Sequence, residues 1–261
     1  MNLKNFINFL PLLSVYGDTE QKTYENIFKE LINNINKFHI NNRYLPKVFH
    51  CDLELGLSNA IIKVIPNIKV KFCLWHLYRA LEINKNKYCN SADLDDNVNL
   101  LFKCITNLAF VDPQYTIKLY DVIFRKNTNE NFKKFLKYFK ETYIIKYNHN
   151  TWNYFANIEH TTNNCCESYN NKINNYFNKK PTFFKLLYVL RKEEDDISKE
   201  YLRLSTGIWN TKRKIIYGRS DEKDIIVRYY EDVINDLKTN NANDDEIVNQ
   251  WFKCLIRLSG R

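Results

Sequence analysis

Glycine and proline are scarce, five of each in 261 residues. A β-sandwich or barrel needs turn residues about every 8–12 positions, so that architecture is excluded and long helices are expected in its place. No C-x-x-C pair occurs, and the seven cysteines are odd in number and irregular in spacing. That pattern argues against a disulfide framework and for a reducing compartment. No stretch approaches the ~20 apolar residues that a membrane span requires. The N-terminal MNLKNFINFLPLLSVYG imitates a signal peptide, but Asn5, Asn8 and Pro11 interrupt its apolar run and no small-x-small cleavage site follows. The expectation is a soluble intracellular protein, not secreted, with no membrane partner. There is no internal repeat and no polybasic tail.

What the chain does have is core material. Apolar residues make up 44% and aromatics 15%, enough for one large domain or two small ones. Lysine and arginine number 39 against 30 acidic residues, a formal charge of +9 spread along the sequence. A diffuse positive potential attracts polyanions, with nucleic acid as the leading class. Runs such as NNINKFHINNR and NNKINNYFNKK offer a plainer account, in which lysine and asparagine are simply abundant on solvated faces.

The apolar pattern gives an order of elements. FINFLPLLSVY, residues 6–16, reads as a first strand. Tyr24, Ile27, Phe28, Leu31, Ile32, Ile35 and Phe38 then make one stripe of a helix. KVFHC at 47–51 reads as a buried strand closed by Asp52. A helix carrying Leu53, Leu57, Ala60, Ile61 and Val64 follows, and Pro66-Asn67 stops it. KVKFCLW at 69–75 reads as another strand. This β-α-β-α-β order implies parallel strands with helical crossovers, and active sites in such sheets gather at the carboxyl ends of strands. Asp52 and His76 are expected at such ends. From 77 to 158 the pattern is helical throughout, with segments near 77–88, 94–109, 113–125 and 130–145. The stretch HTTNNCCESYNNKI then starts a further helix, Pro181 opens a long one to about residue 204, and a tail from 219 to 257 is helical apart from KTNNANDD. The fold class is α/β, rich in helix.

Three polar features could carry chemistry: Asp52 with Glu54 after one strand, Cys73 and His76 after the next, and Glu167. Each also has a structural account. Asp52 could cap the helix that follows it, Cys73 could be a buried small hydrophobe and His76 a satisfied core histidine. Asn164 and Glu167 have the spacing of a capping box. A zinc site from Cys73, His76, His160 and Cys165 or Cys166 is disfavoured. Adjacent cysteines point apart on a helix, and the two halves lie about a third of the chain from each other.

Several segments in order resemble one family. LPLLSVYGDTEQKTYENIF, then VFHCDLELGLSNAIIKVIPNIKVKFCLWHLYRAL, then LAFVDP, and finally TWNYFANIEHTTNNCCESYNNKINNYFNKKPTFFKLL are similar to the transposase domain of Mutator-like elements, the MULE family. The similarity spans roughly residues 10–207. It implies an RNase H-like core, residues 1–80 and 159–207, interrupted by an all-helical insertion at 81–158 and followed by a helical tail at 208–261. It carries the family's second acidic residue onto Asp52, its C-x-x-H onto Cys73 and His76, and its catalytic glutamate onto Glu167, with Glu54 in a supporting role.

The implied reaction is DNA cleavage and strand transfer. Two Mg²⁺ or Mn²⁺ ions held by carboxylates such as Asp52 and Glu167 would activate the attacking oxygen and stabilise the leaving one. His76 would contact a phosphate or orient a carboxylate. The implied partners are the DNA of element ends and target, with a homo-oligomer allowed, and the implied location is the nucleus. The family's first aspartate precedes the stretch matched here, and Asp18 is no substitute for it. The expectation is an N-terminally truncated core with weak or no activity alone; the alternative is a domesticated, non-catalytic DNA-binding protein that keeps the fold.

Overall fold

In the computed structural model, residues 20–37, 46–155, 161, 164–177, 179–207 and 219–260 are described. The expected strand at 6–16 lies outside them. The described residues hold ten α-helices and one two-stranded parallel sheet, a helix-rich α/β arrangement. They fall into two compact units: residues 19–162 with 217–261, and residues 163–216.

The larger unit begins with α1 (Gln21–Lys37), whose apolar stripe packs on α2 (Leu55–Val64). Between them runs β1 (Val48–Cys51), and after them β2 (Lys69–Phe72), paired in parallel with Cys51 opposite Phe72. α2 ends where expected. Pro66 has no N–H to donate, and Asn67 takes a positive φ of 63°, a conformation asparagine tolerates better than most residues.

KVKFCLW departs from its sequence reading. The strand stops at Phe72, and Cys73 is the N-cap of α3 (Leu74–Tyr88). An apolar run of this length fits strand or helix equally by periodicity. The helix wins here because Leu74, Leu77 and Leu81 at helical spacing are all buried. His76 therefore sits in the first turn of a helix and not at the end of a strand.

The helical block then follows as α4 (Asp96–Asn107), α5 (Thr116–Lys126) and α6 (Glu130–Phe139). Asp95 caps α4 by accepting from Val98 N at 2.6 Å, and Asn129 caps α6 by accepting from Phe132 N at 2.8 Å. α6 buries Phe132, Phe135, Leu136 and Phe139 on one stripe. It runs into a wide π-helical turn over 140–146, where Tyr147 N donates five residues back to Thr142 O at 2.9 Å.

α9 (Arg219–Thr239) and α10 (Asp244–Leu258) belong to this same unit. α10 packs on α9, α4 and α5, and buries Ile247, Val248, Trp251, Cys254 and Leu255. Asn243 caps it by accepting from Glu246 N at 2.9 Å, and three acidic residues in its first turn favour the positive end of the helix dipole.

The smaller unit holds α7 (Asn164–Asn174) and α8 (Phe183–Ser205). Its one deeply buried charge among the described residues is Glu193, 1% exposed, which takes Lys172 Nζ at 2.5 Å and the Tyr176 hydroxyl at 2.6 Å. Burial pushes this carboxyl upward. The two donors together outweigh that effect and hold it below the ordinary glutamate value.

Candidate functional site

The carboxyl ends of β1 and β2 lie side by side, joined by Cys73 N donating to Cys51 O at 2.8 Å. Asp52 follows β1 directly. It does not cap α2: the N-cap position falls on Glu54, whose own N–H donates to Asp52 O at 2.7 Å. The Asp52 side chain reaches across instead, and its Oδ1 lies 3.0 Å from His76 Nδ1. Of the expected site residues, these two are brought into direct contact.

The immediate surroundings are acidic at β1 and aromatic at α3. Glu54 is half-buried, with Oε1 enclosed and without a hydrogen-bond partner among the described residues. Its side chain makes no cap hydrogen bond to α2. Burial, then Asp52, Glu54 and Cys73, push the Cys51 thiol up to about 12. Both carboxylates thus act on the thiol at the end of β1. On the other side the Trp75 ring meets His76 edge to face at 4.8 Å, and the Arg79 guanidinium lies 5.3 Å from the Trp75 ring centre. Trp75 is 44% exposed, so a cation and an aromatic face stand open to solvent next to the imidazole.

Cys73 is completely buried, as a small hydrophobe would be. It precedes His76 by three residues, within one helical turn. Of the remaining residues of the zinc expectation, His160 lies outside the described residues, as do the side chains of Cys165 and Cys166; the side chain of Asn164, from the capping-box expectation, lies outside them too. Glu167 stands in the first turn of α7, half-buried, where the helix dipole favours a carboxylate.

A set of contacts behind the pair has no counterpart in the sequence reading. The Tyr154 hydroxyl donates to Phe72 O at 2.7 Å, and Tyr154 N donates to Ala109 O at 2.6 Å. Asn153 Nδ2 donates to Val111 O at 2.8 Å. Lys71 Nζ donates to the carbonyls of Asn150 at 2.7 Å and Asn153 at 2.5 Å. The segments LAFVDP and TWNYF, bonded through residues 42 or more positions apart, are therefore tied to each other and to the end of β2. Burial, followed by Cys73 and Cys51, holds the Tyr154 phenol above its ordinary pKa, so it stays a donor. Burial and then Lys69 pull Lys71 below the usual lysine value. Side chain to backbone bonds across such separations leave no periodic trace, so no local signal could have revealed them.

The residues at β1 suit a hard divalent cation. The Asp52 side chain and an enclosed Glu54 oxygen lacking a donor are the oxygen ligands such an ion prefers. Comparisons with family models, curated proteins and solved structures return no match for this chain.

Proposed function

We propose that this chain carries the core of a DNA strand-transfer enzyme of the MULE transposase type, acting on phosphodiester bonds with Mg²⁺ or Mn²⁺. The observation that carries the reading is the Asp52–His76 pair at 3.0 Å, formed where two parallel strands end side by side. In open α/β sheets that end is where ligands bind. The family resemblance points to the same two residues from motif order alone.

In this reading Asp52 and Glu54 are ligand carboxylates of the larger unit, and the family resemblance alone carries a further one onto Glu167. The ions, when bound, polarise the scissile phosphate and acidify the attacking hydroxyl. His76 fixes the rotamer of Asp52 by holding one of its oxygens. Trp75 and Arg79 offer a stacking face and a cation to the DNA beside it. The basic balance of +9 favours the polyanion's approach.

A second reading is a DNA-binding derivative that keeps the fold and does not cut, which the basic balance of +9 serves equally well.

A supercoiled-plasmid nicking assay with Mg²⁺ or Mn²⁺ decides between them. Metal-dependent nicking that disappears in Asp52→Asn and Glu167→Gln supports the enzyme. Equal nicking in wild type and both variants sinks it. Salt-sensitive binding with no cleavage in any metal leaves the binding derivative.

A further inference from the structure

Within its own unit, α8 presents two opposite faces. Val189 and Glu193 are buried, and Leu186, Leu190 and Ile197 are half-buried, one stripe at helical spacing. Across the helix axis stand Phe184, Leu187, Tyr188 and Arg191. Phe184 is 80% exposed and Tyr188 71%. Aromatic rings this exposed are a poor use of core material and mark a surface that something covers.

The charge around them has one sign. From residue 171 to residue 192 the sequence contains Lys172, Lys179, Lys180, Lys185, Arg191 and Lys192, and no carboxylate. Lys172 is taken by Glu193. Lys185 and Lys192 are held over the rings of Phe177 and Tyr176, at 5.8 and 5.6 Å, which sets their ammonium groups at fixed places beside the exposed face. After Lys192 come Glu193, Glu194, Asp195 and Asp196, which end the cationic stretch abruptly.

The geometry points to a docking surface for an unpaired DNA strand on this half of α8. Its bases stack on Phe184 and Tyr188, and its phosphates lie against Lys185, Arg191 and the Lys179–Lys180 pair. Choosing DNA as the polymer rests on the strand-transfer reading above; the cationic and aromatic face does not. Phe184 and Tyr188 are one turn apart, about 6 Å along the axis, against about 3.4 Å between bases in a duplex strand. A duplex also hides its base faces, whereas every unpaired base offers one. A membrane surface would need the apolar face to continue where the acidic run begins. A second copy would set the same cations against each other.

The test uses the full chain and fluorescence anisotropy with a labelled single-stranded DNA of about 20 nucleotides. The same sequence as duplex and as RNA, and vesicles rich in anionic lipid, are the other arms. The single strand should bind at least about tenfold more tightly than the duplex, and Phe184→Ala/Tyr188→Ala should weaken it about tenfold or more. Lys185→Gln/Arg191→Gln should reduce the slope of log K against log salt by about 1.4. All four side chains are exposed, and circular dichroism checks that both variants keep the fold.

Unchanged single-strand affinity in Phe184→Ala/Tyr188→Ala overturns the proposal, as does equal affinity for duplex, tighter binding to RNA or vesicles, or a dimer that this variant abolishes. Strand binding by a wild type that never nicks DNA sinks the strand-transfer reading alone. Metal-dependent nicking with a strand affinity indifferent to Phe184 and Tyr188 sinks the docking surface alone.

Discussion

Asp52 Oδ1 and His76 Nδ1 lie 3.0 Å apart, the carboxylate from the residue after β1 and the imidazole from the first turn of α3. Asp52 is 51% exposed at its side chain, so the contact adds little to stability, about 0–1 kcal/mol for such a pair. Asp52→Asn should leave the thermal midpoint almost unchanged while lowering metal-dependent nicking about 100-fold or more. A large loss of stability in that variant would show the pair to be structural.

His76 is a positioning residue in this scheme. His76→Ala should raise the Mg²⁺ concentration for half-maximal nicking by about 10–100-fold, the usual effect of removing a group that orients a ligand. Saturating metal should restore most of the rate. An unaltered metal titration would remove His76 from the site.

Tyr154→Phe deletes one oxygen and leaves Phe72 O without its donor. An unsatisfied buried group costs about 1–3 kcal/mol, so the unfolding free energy from urea titration should fall by that amount, with a lower midpoint and an unchanged slope. Tyr154 also abuts the strand that leads into Cys73 and His76. The variant therefore tests whether the backing contacts matter to nicking as well as to folding.

Trp251 separates packing from hydrogen bonding. It is 1% exposed, meets Phe155 edge to face at 5.5 Å, and its indole nitrogen has no acceptor among the described residues. Trp251→Ala should cost about 3–5 kcal/mol. Trp251→Phe should cost much less, because no hydrogen bond is lost with the nitrogen. Equal costs would mean that the indole N–H is satisfied in solution.

Acid should weaken the fold through Asp93. Its carboxylate accepts from Asn129, from the backbone of Asn90 and from Asn131, which hold it below its ordinary value of 3.8. A depressed carboxyl contributes stability that is fully present above the unfolded value and is lost as pH falls through the folded one. Urea midpoints of wild type should drop as pH falls below 3.8, and Asp93→Asn should show a flatter acid limb. Parallel limbs would exclude the effect.

The helices were legible because their apolar stripes repeat at helical spacing over ten or more residues, as Phe132, Phe135, Leu136 and Phe139 do on α6. β1 was legible from VFHC between Pro46 and Asp52. KVKFCLW was not, since seven residues give period too little room to separate strand from helix. The π turn at 140–146 was hidden because an inserted residue leaves a plausible helical stripe on either side. At the site, Asp52 and His76 were legible as residues, but their contact was not. It depends on the side-by-side ending of β1 and β2 and on the early start of α3. The α8 face was overlooked for another reason: exposed aromatics look like core residues until burial is known.

The bond from Tyr154 to Phe72 closes a loop of 82 residues, and its entropic cost falls due before any reward arrives. The helices inside the loop close their own backbone hydrogen bonds four residues back and can form early, while α4 and α5 also pack on α10 from beyond the loop. The end of β2 is thus secured only after the block between has condensed. On a ribosome, the neighbourhood of Asp52 and His76 would be finished no sooner than residue 154 had emerged. The helical block is then more than a spacer between motifs: it sets the moment at which the carboxyl ends of the strands acquire their final shape.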